Sequence, residues 1–168
     1  MDLLNFCVRL KESSQNLLDT IALIDPVKLT IRDADSWSVL EILEHIYLTD
    51  KIIFTLISTP TDHLWEGREI IGIENLEKLV IGKNIQKVAA PEVVYPKGSI
   101  QSIDAFKSVF LVQREQLQTN LESGKIIVDN RIFKHPYLGK MTIEDWLNLM
   151  VFHTSRHIQQ IEAKQFLQ

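Results

Sequence analysis

The sequence predicts an all-α protein built as a four-helix bundle. Four segments repeat apolar residues at three- and four-residue steps, the interval 60–98 between the second and third is rich in proline and glycine, and strand-like stretches are too few for a sheet. At 168 residues the chain is one domain, 1–168, long enough to bury a core without disulfides.

The first helix carries Leu3, Cys7, Leu10, Leu17, Ile21 and Ile24 on one stripe, with Ser14 the only polar residue at that phase. Asp25-Pro26 ends it, because the residue before a proline is pushed out of the helical region. The second opens on Ser38-Val39-Leu40-Glu41, a capping-box pattern, and meets no Gly or Pro until Pro60. Pro60, Pro91 and Pro96 with Gly67, Gly72, Gly82 and Gly98 break up the next interval, in which Ile73–Val80 is a short helix and AAPEVVYPKG is extended. The third long helix starts near Ser99 or Ser102, places Ile103, Phe106, Phe110, Leu117 and Leu121 inward, and stops at Ser123-Gly124. Lys125–Phe133 alternates weakly, and His135-Pro136-Tyr137-Leu138-Gly139 is a turn. Thr142 caps the last helix, with Glu144 and Asp145 in its first turn against the positive end of the dipole. The long connection between the second and third long helices implies a crossover that leaves those two running the same way.

Composition narrows the function classes. Apolar residues at 45% and charged residues at 24% exclude a disordered chain. Lys plus Arg at 18 against Asp plus Glu at 22 give a net charge of −4, so no basic excess recruits nucleic acid. Asp2, Arg9, Lys11 and Glu12 break the order of a signal peptide, and no apolar run reaches the roughly 20 residues of a membrane span. The single cysteine, Cys7, excludes an internal disulfide framework and gives no support for a cysteine-based zinc finger. A cytoplasmic protein acting on a small molecule, without nucleic acid or membrane as partner, is the expectation.

The chemistry centres on the histidines, of which there are five: His45, His63, His135, His153 and His157. His153 and His157 lie at i, i+4 inside the last helix, on the face shared by Trp146, Leu149, Met150 and Ile161, so both imidazoles point inward and can bind one metal ion. Two satisfied core histidines would give the same spacing, and a metal motif needs a third ligand. His45 supplies it. It shares its helix face with Ile42, Leu48 and Ile52, and lies 14 residues back from Thr59, while His153 and His157 lie 11 and 15 residues on from Thr142. At ~1.5 Å per residue, antiparallel second and fourth long helices bring all three to one level. His63 falls in the Pro60–Gly67 loop as a solvated surface residue. His135 is a structural turn residue, with a second-shell or substrate contact as the alternative reading.

Trp37-Ser38 opening the second helix, then His45, then the stretch from Phe133 through His135-Pro136-Tyr137-Leu138-Gly139 to Trp146 and His153-x3-His157-Ile158-Gln159-Gln160-Ile161, together resemble the DinB-like superfamily. The resemblance spans the chain from the first helix to Ile161. It implies an up-down-down-up four-helix bundle, a divalent metal held by three histidines, and often a homodimer. Characterised relatives include transferases and isomerases that use a low-molecular-weight thiol such as bacillithiol, mycothiol or glutathione. Carried over by position, the metal ligands are His45, His153 and His157; no residue here matches a thiol-binding or substrate-binding role equally securely. The name of the superfamily refers to DNA-damage induction and carries no chemistry.

Three imidazoles leave coordination positions open, as working sites do. The ion is zinc, nickel or iron, since imidazole accepts each. The resemblance makes a metal-dependent thiol S-transferase the leading function, with the metal lowering the thiol pKa. A metal-dependent hydrolase is the second reading, with Glu41, one turn before His45, as the only nearby base, although the capping box already accounts for Glu41. A non-catalytic metal-binding or small-molecule-binding stress-response module is the third. Ser14, Arg156 and Gln160 are expected around the cavity, with Arg156 alternatively at the bundle edge. Gln160 either donates a second-shell hydrogen bond to His157 or caps a helix contact. Trp37, Trp146 and Phe133 read as core, and Cys7 as a small buried hydrophobe.

Overall fold

The computed structural model describes residues 1–32, 36–67, 71–82 and 89–165, with the side chain of residue 165 left aside. Five α-helices dominate: α1 (Leu3–Ala22), α2 (Val39–Ile57), α3 (Ile73–Ile81), α4 (Ile103–Glu122) and α5 (Ile143–Gln165). α1 and α2 each pack against both α4 and α5, which makes these four the bundle, and the short α3 lies along α5.

The boundaries follow from capping chemistry. Asp2 accepts the Asn5 N–H to open α1. Ser38 and Glu41 form the reciprocal box anticipated for α2, with Glu41 accepting the Ser38 N–H at 2.9 Å. Ser102, one of the two starts considered, caps α4 through the Ala105 N–H at 3.0 Å. At α5, Thr142 Oγ1 accepts the Asp145 N–H at 3.1 Å while Asp145 accepts from the Thr142 N–H at 3.0 Å, so the last helix carries a second reciprocal box. Asp145 also takes the Gly72 N–H at 3.2 Å, tying the entry of α3 to that of α5. Gly72 has φ +76, a left-handed turn that favours glycine.

The expectation that no sheet forms is corrected. β1 (Ile132–His135) and β2 (Gly139–Thr142) pair antiparallel, from Ile132 with Thr142 to His135 with Gly139. The His135–Gly139 turn is therefore the tip of a hairpin that feeds α5 directly. The 89–98 stretch, read as extended, contains a single 3-10 turn at Glu92–Val94.

Two apolar clusters form the core. One joins Phe6 and Leu10 of α1 to Ile53 and Ile57 of α2, Leu117 and Leu121 of α4, and Leu147 and Met150 of α5. The other joins Leu17 and Ile21, Leu43 and Ile46, Phe106 and Phe110, and Ile161. Phe106 and Phe110 stack at 4.7 Å, each fully buried and each contributing about 1.5–3 kcal/mol by its transfer from water. Arg114 of α4 also lies in the bundle interior. It donates to Asp50 Oδ2 on α2 at 2.8 Å, to Ser14 Oγ on α1 at 3.1 Å and to Thr154 Oγ1 on α5 at 2.6 Å. Ser14, expected beside the cavity, is instead committed to this interior network. No helix among the described residues is long and apolar enough to cross a membrane.

Candidate metal centre

α2 presents His45 from its buried face, between Ile42 and Ile46, and α5 presents His153 and His157 one turn apart. The three imidazoles converge. His153 Nε2 lies 3.1 Å from His45 Nε2 and 3.0 Å from His157 Nε2, and one ligand atom from each residue fits within 4.8 Å. The spacing expected from residue counts along the two helices is thus met.

Hydrogen bonds set two of the three tautomers. His45 Nδ1–H donates to the Val94 carbonyl at 2.8 Å, and His157 Nδ1–H donates to Gln160 Oε1 at 2.8 Å. Each proton sits on the outer nitrogen, so each Nε2 lone pair points inward. Of the two roles expected for Gln160, the contact to His157 is the one formed, with Gln160 accepting rather than donating. His153 Nδ1 is buried without a partner among the described residues. A proton on His153 Nε2 can serve only one of the two lone pairs facing it; a cation serves all three.

Electrostatics agree with a neutral set. Burial is the first cause that pulls all three below the ordinary histidine range, His157 to about 3 and His153 well below. The neighbouring imidazoles and Arg156 add to the shift for His153 and His157, and Arg156 does so for His45. Neutral imidazole is the ligand form. Nitrogens at about 2.0–2.1 Å from a tetrahedral ion lie about 3.3 Å apart, close to the 3.1 and 3.0 Å that separate His153 Nε2 from its two neighbours. The residues present fit a divalent metal ion.

The cluster opens on a cavity of about 950 Å³, which takes in Trp37, Thr49, Tyr95, His135, Tyr137, Trp146, Arg156 and Gln160 along with the three histidines. His153 keeps a partly exposed edge while His45 and His157 are buried. Trp37 and Trp146, expected in the core, also wall the cavity, and Trp37 lies 4.8 Å ring to ring from His45. Phe133 packs on the first core cluster. His135 is half-buried and its Nδ1 accepts the N–H groups of Tyr137 and Leu138 at 3.2 and 3.1 Å, so its proton is on Nε2. It thus organises the hairpin tip, and it also lines the cavity. His63 is exposed and contributes its carbonyl to the Ile132 N–H.

The candidates for acid, base and nucleophile fare differently. Glu41 closes the cap and pairs with the Arg32 guanidinium, whose hydrogen bond is the main reason its carboxyl falls to about 2. It does not line the cavity. Cys7 is buried, and burial pushes its thiol up, away from a reactive thiolate.

One supporting residue escapes the sequence reading. Glu44 is buried beside His45 and accepts the N–H groups of Lys97 at 2.9 Å and Gly98 at 2.8 Å and the Ser99 hydroxyl at 2.7 Å. Burial raises its carboxyl, but the donors from Lys97, Ser99 and Gly98 outweigh that, and the net shift is downward. Glu44 thereby anchors the segment whose Val94 carbonyl orients His45. A helical Glu with an apolar residue, Leu48, where an i+4 lysine would stand was the available signal.

Comparison with known proteins agrees. The DinB superfamily profile matches residues 9–161. A protein of Bacillus subtilis (strain 168), described as uncharacterized protein YuaE, is 26% identical over 129 residues, which is 77% of either chain. A solved structure described as TT2238, a four-helix bundle protein, superposes with a TM-score of 0.59 at 18% identity, over 96% of this chain and 98% of that one, and shares the fold. With a profile match running from α1 to the far side of the histidine pair, the chain belongs to the DinB superfamily.

Proposed function

We propose that this protein is a metal-dependent enzyme that joins a low-molecular-weight thiol, of the bacillithiol or glutathione kind, to an electrophilic substrate. The observation that carries the reading is the convergence of three imidazole Nε2 atoms on the wall of a large cavity. His45, His153 and His157 hold the divalent ion, zinc, nickel or iron. When bound, that ion supplies Lewis acidity that favours the thiolate over the thiol. The Val94 carbonyl and Gln160 Oε1 keep the ligand tautomers, and Trp37, Tyr95 and Trp146 give the cavity aromatic walls. In the reaction a carbon–sulfur bond forms, the bond from that carbon to its leaving group breaks, and the thiol proton passes to solvent.

The hydrolase reading is weaker, because no carboxylate lines the cavity among the described residues and Glu41 is committed to its cap. The proposal includes an up-down-down-up course with a crossover between α2 and α4. It is supported by the core clusters, which group the start of α1 and of α5 with the ends of α2 and α4. It also includes a cytoplasmic homodimer, for which exposed Leu4 and Val8, one turn apart on α1, offer an apolar patch.

The test is a screen of thiols with simple electrophiles, run beside cobalt-substituted protein. The reading expects turnover with at least one thiol and a sulfur-to-cobalt charge-transfer band when that thiol is added. An unchanged spectrum at saturating thiol, with no turnover, contradicts it.

A further inference from the structure

The cavity wall is apolar for most of its area, yet it holds two cationic side chains, Arg156 and Lys164, and among the described residues no carboxylate. Lys164 is buried and donates to the Ser36 hydroxyl at 2.8 Å. Arg156 is different. It is half-buried, its single described hydrogen bond is a long one of 3.4 Å to the Val80 carbonyl, and no described carboxylate pairs with it. A guanidinium presents five N–H donors in a planar fork, so most of its bonding capacity is unspent here. Removing a cation from water is unfavourable unless an anion or acceptors replace the lost hydration.

Its position also bears on the metal centre. Arg156 lies between His153 and His157 on α5 and lines the same cavity as all three imidazoles, so a ligand gripped by its fork lies beside the metal cluster. Trp37, Tyr95 and Trp146 line the same cavity and suit an apolar body.

We propose that the cavity takes an apolar molecule bearing a carboxylate, and that Arg156 is its anchor and the residue that sets this preference. The inference rests on the reading of the cavity as the reaction site and names the class of molecule that enters it. Bidentate pairing with the guanidinium fork fixes the carboxylate end and leaves the apolar part against the aromatic walls.

The experiment compares 1-naphthylacetate with its neutral amide by titration calorimetry, on the purified protein and on R156Q, R156K and K164Q, with metal content measured on every sample. The wild type binds the acid about tenfold or more tightly than the amide. R156Q loses the preference with amide affinity and metal content unchanged, R156K keeps only part of it, and K164Q retains it. Equal affinity for the two probes in the wild type, no binding of either, or a preference that survives in R156Q overturns the proposal. A preference that depends on Arg156 in protein carrying no metal leaves this inference standing and removes the metal-enzyme reading. Metal-loaded protein without the preference does the reverse.

Discussion

At the scale of single residues, the site is defined less by its three imidazoles than by what holds their outer nitrogens. Gln160 Oε1 keeps the His157 proton off the inward nitrogen, so Gln160→Leu lowers metal affinity about 10–100-fold, measured by competition with a chelator, while leaving the helix intact. Proton competition gives a second expectation. The folded pKa values lie below the ordinary 6.5, His157 at about 3, so the ligands stay neutral to lower pH than an unperturbed histidine and the ion is retained to lower pH than at a set of solvent-exposed histidines, as metal content against pH would read. For the metal-free protein the sign is fixed by the same shifts: the unfolded chain takes up protons first, so stability is full above about pH 6.5 and declines as pH falls toward the folded values. Urea titrations at stepped pH check this, and a stability that rises on acidification across that window contradicts it. His153 and His157 were legible from their spacing, and His45 from its phase and depth. Val94 was not, because a backbone carbonyl leaves no trace in residue type.

Among the elements, α2 and α5 were readable because long amphipathic stripes and capping residues are local signals: Ser38 with Glu41, Ser102 and Thr142 each stand where a helix begins. The hairpin was not, because its strands are four residues each, too short for alternation to stand out, and its pairing with the loop ahead of α3, through Leu64 and Arg131, is non-local. The segment ahead of α4 is held by Glu44, whose carboxylate gathers the Lys97, Gly98 and Ser99 donors. Glu44→Ala therefore frees that segment, loosens the Val94 contact to His45 and weakens metal binding without touching a ligand. Hydrogen exchange of the Gly98 and Ser99 amides reads the first effect and chelator competition the second; unchanged protection in the variant contradicts the role given to Glu44.

For the whole molecule, the two apolar clusters make the bundle stable and the Arg114 network fixes how its helices meet. One side chain on α4 reaches α1, α2 and α5, a convergence that no local pattern announces, which is why Ser14 was read as a cavity residue. Arg114→Met leaves Asp50 buried without its cation and destabilises the fold by about 3–5 kcal/mol in denaturant titration. Joint replacement of Arg114 and Asp50 by apolar residues recovers much of that loss. The bundle, the cavity and the histidine cluster then form one unit, in which the core positions α2 and α5 and those helices position the imidazoles. The measurement that addresses this most directly is metal content per chain in the purified protein and in the variant with His45, His153 and His157 all changed to Ala. About one divalent ion per chain in the wild type and none in the variant is the expected result; equal loading of the two would contradict it.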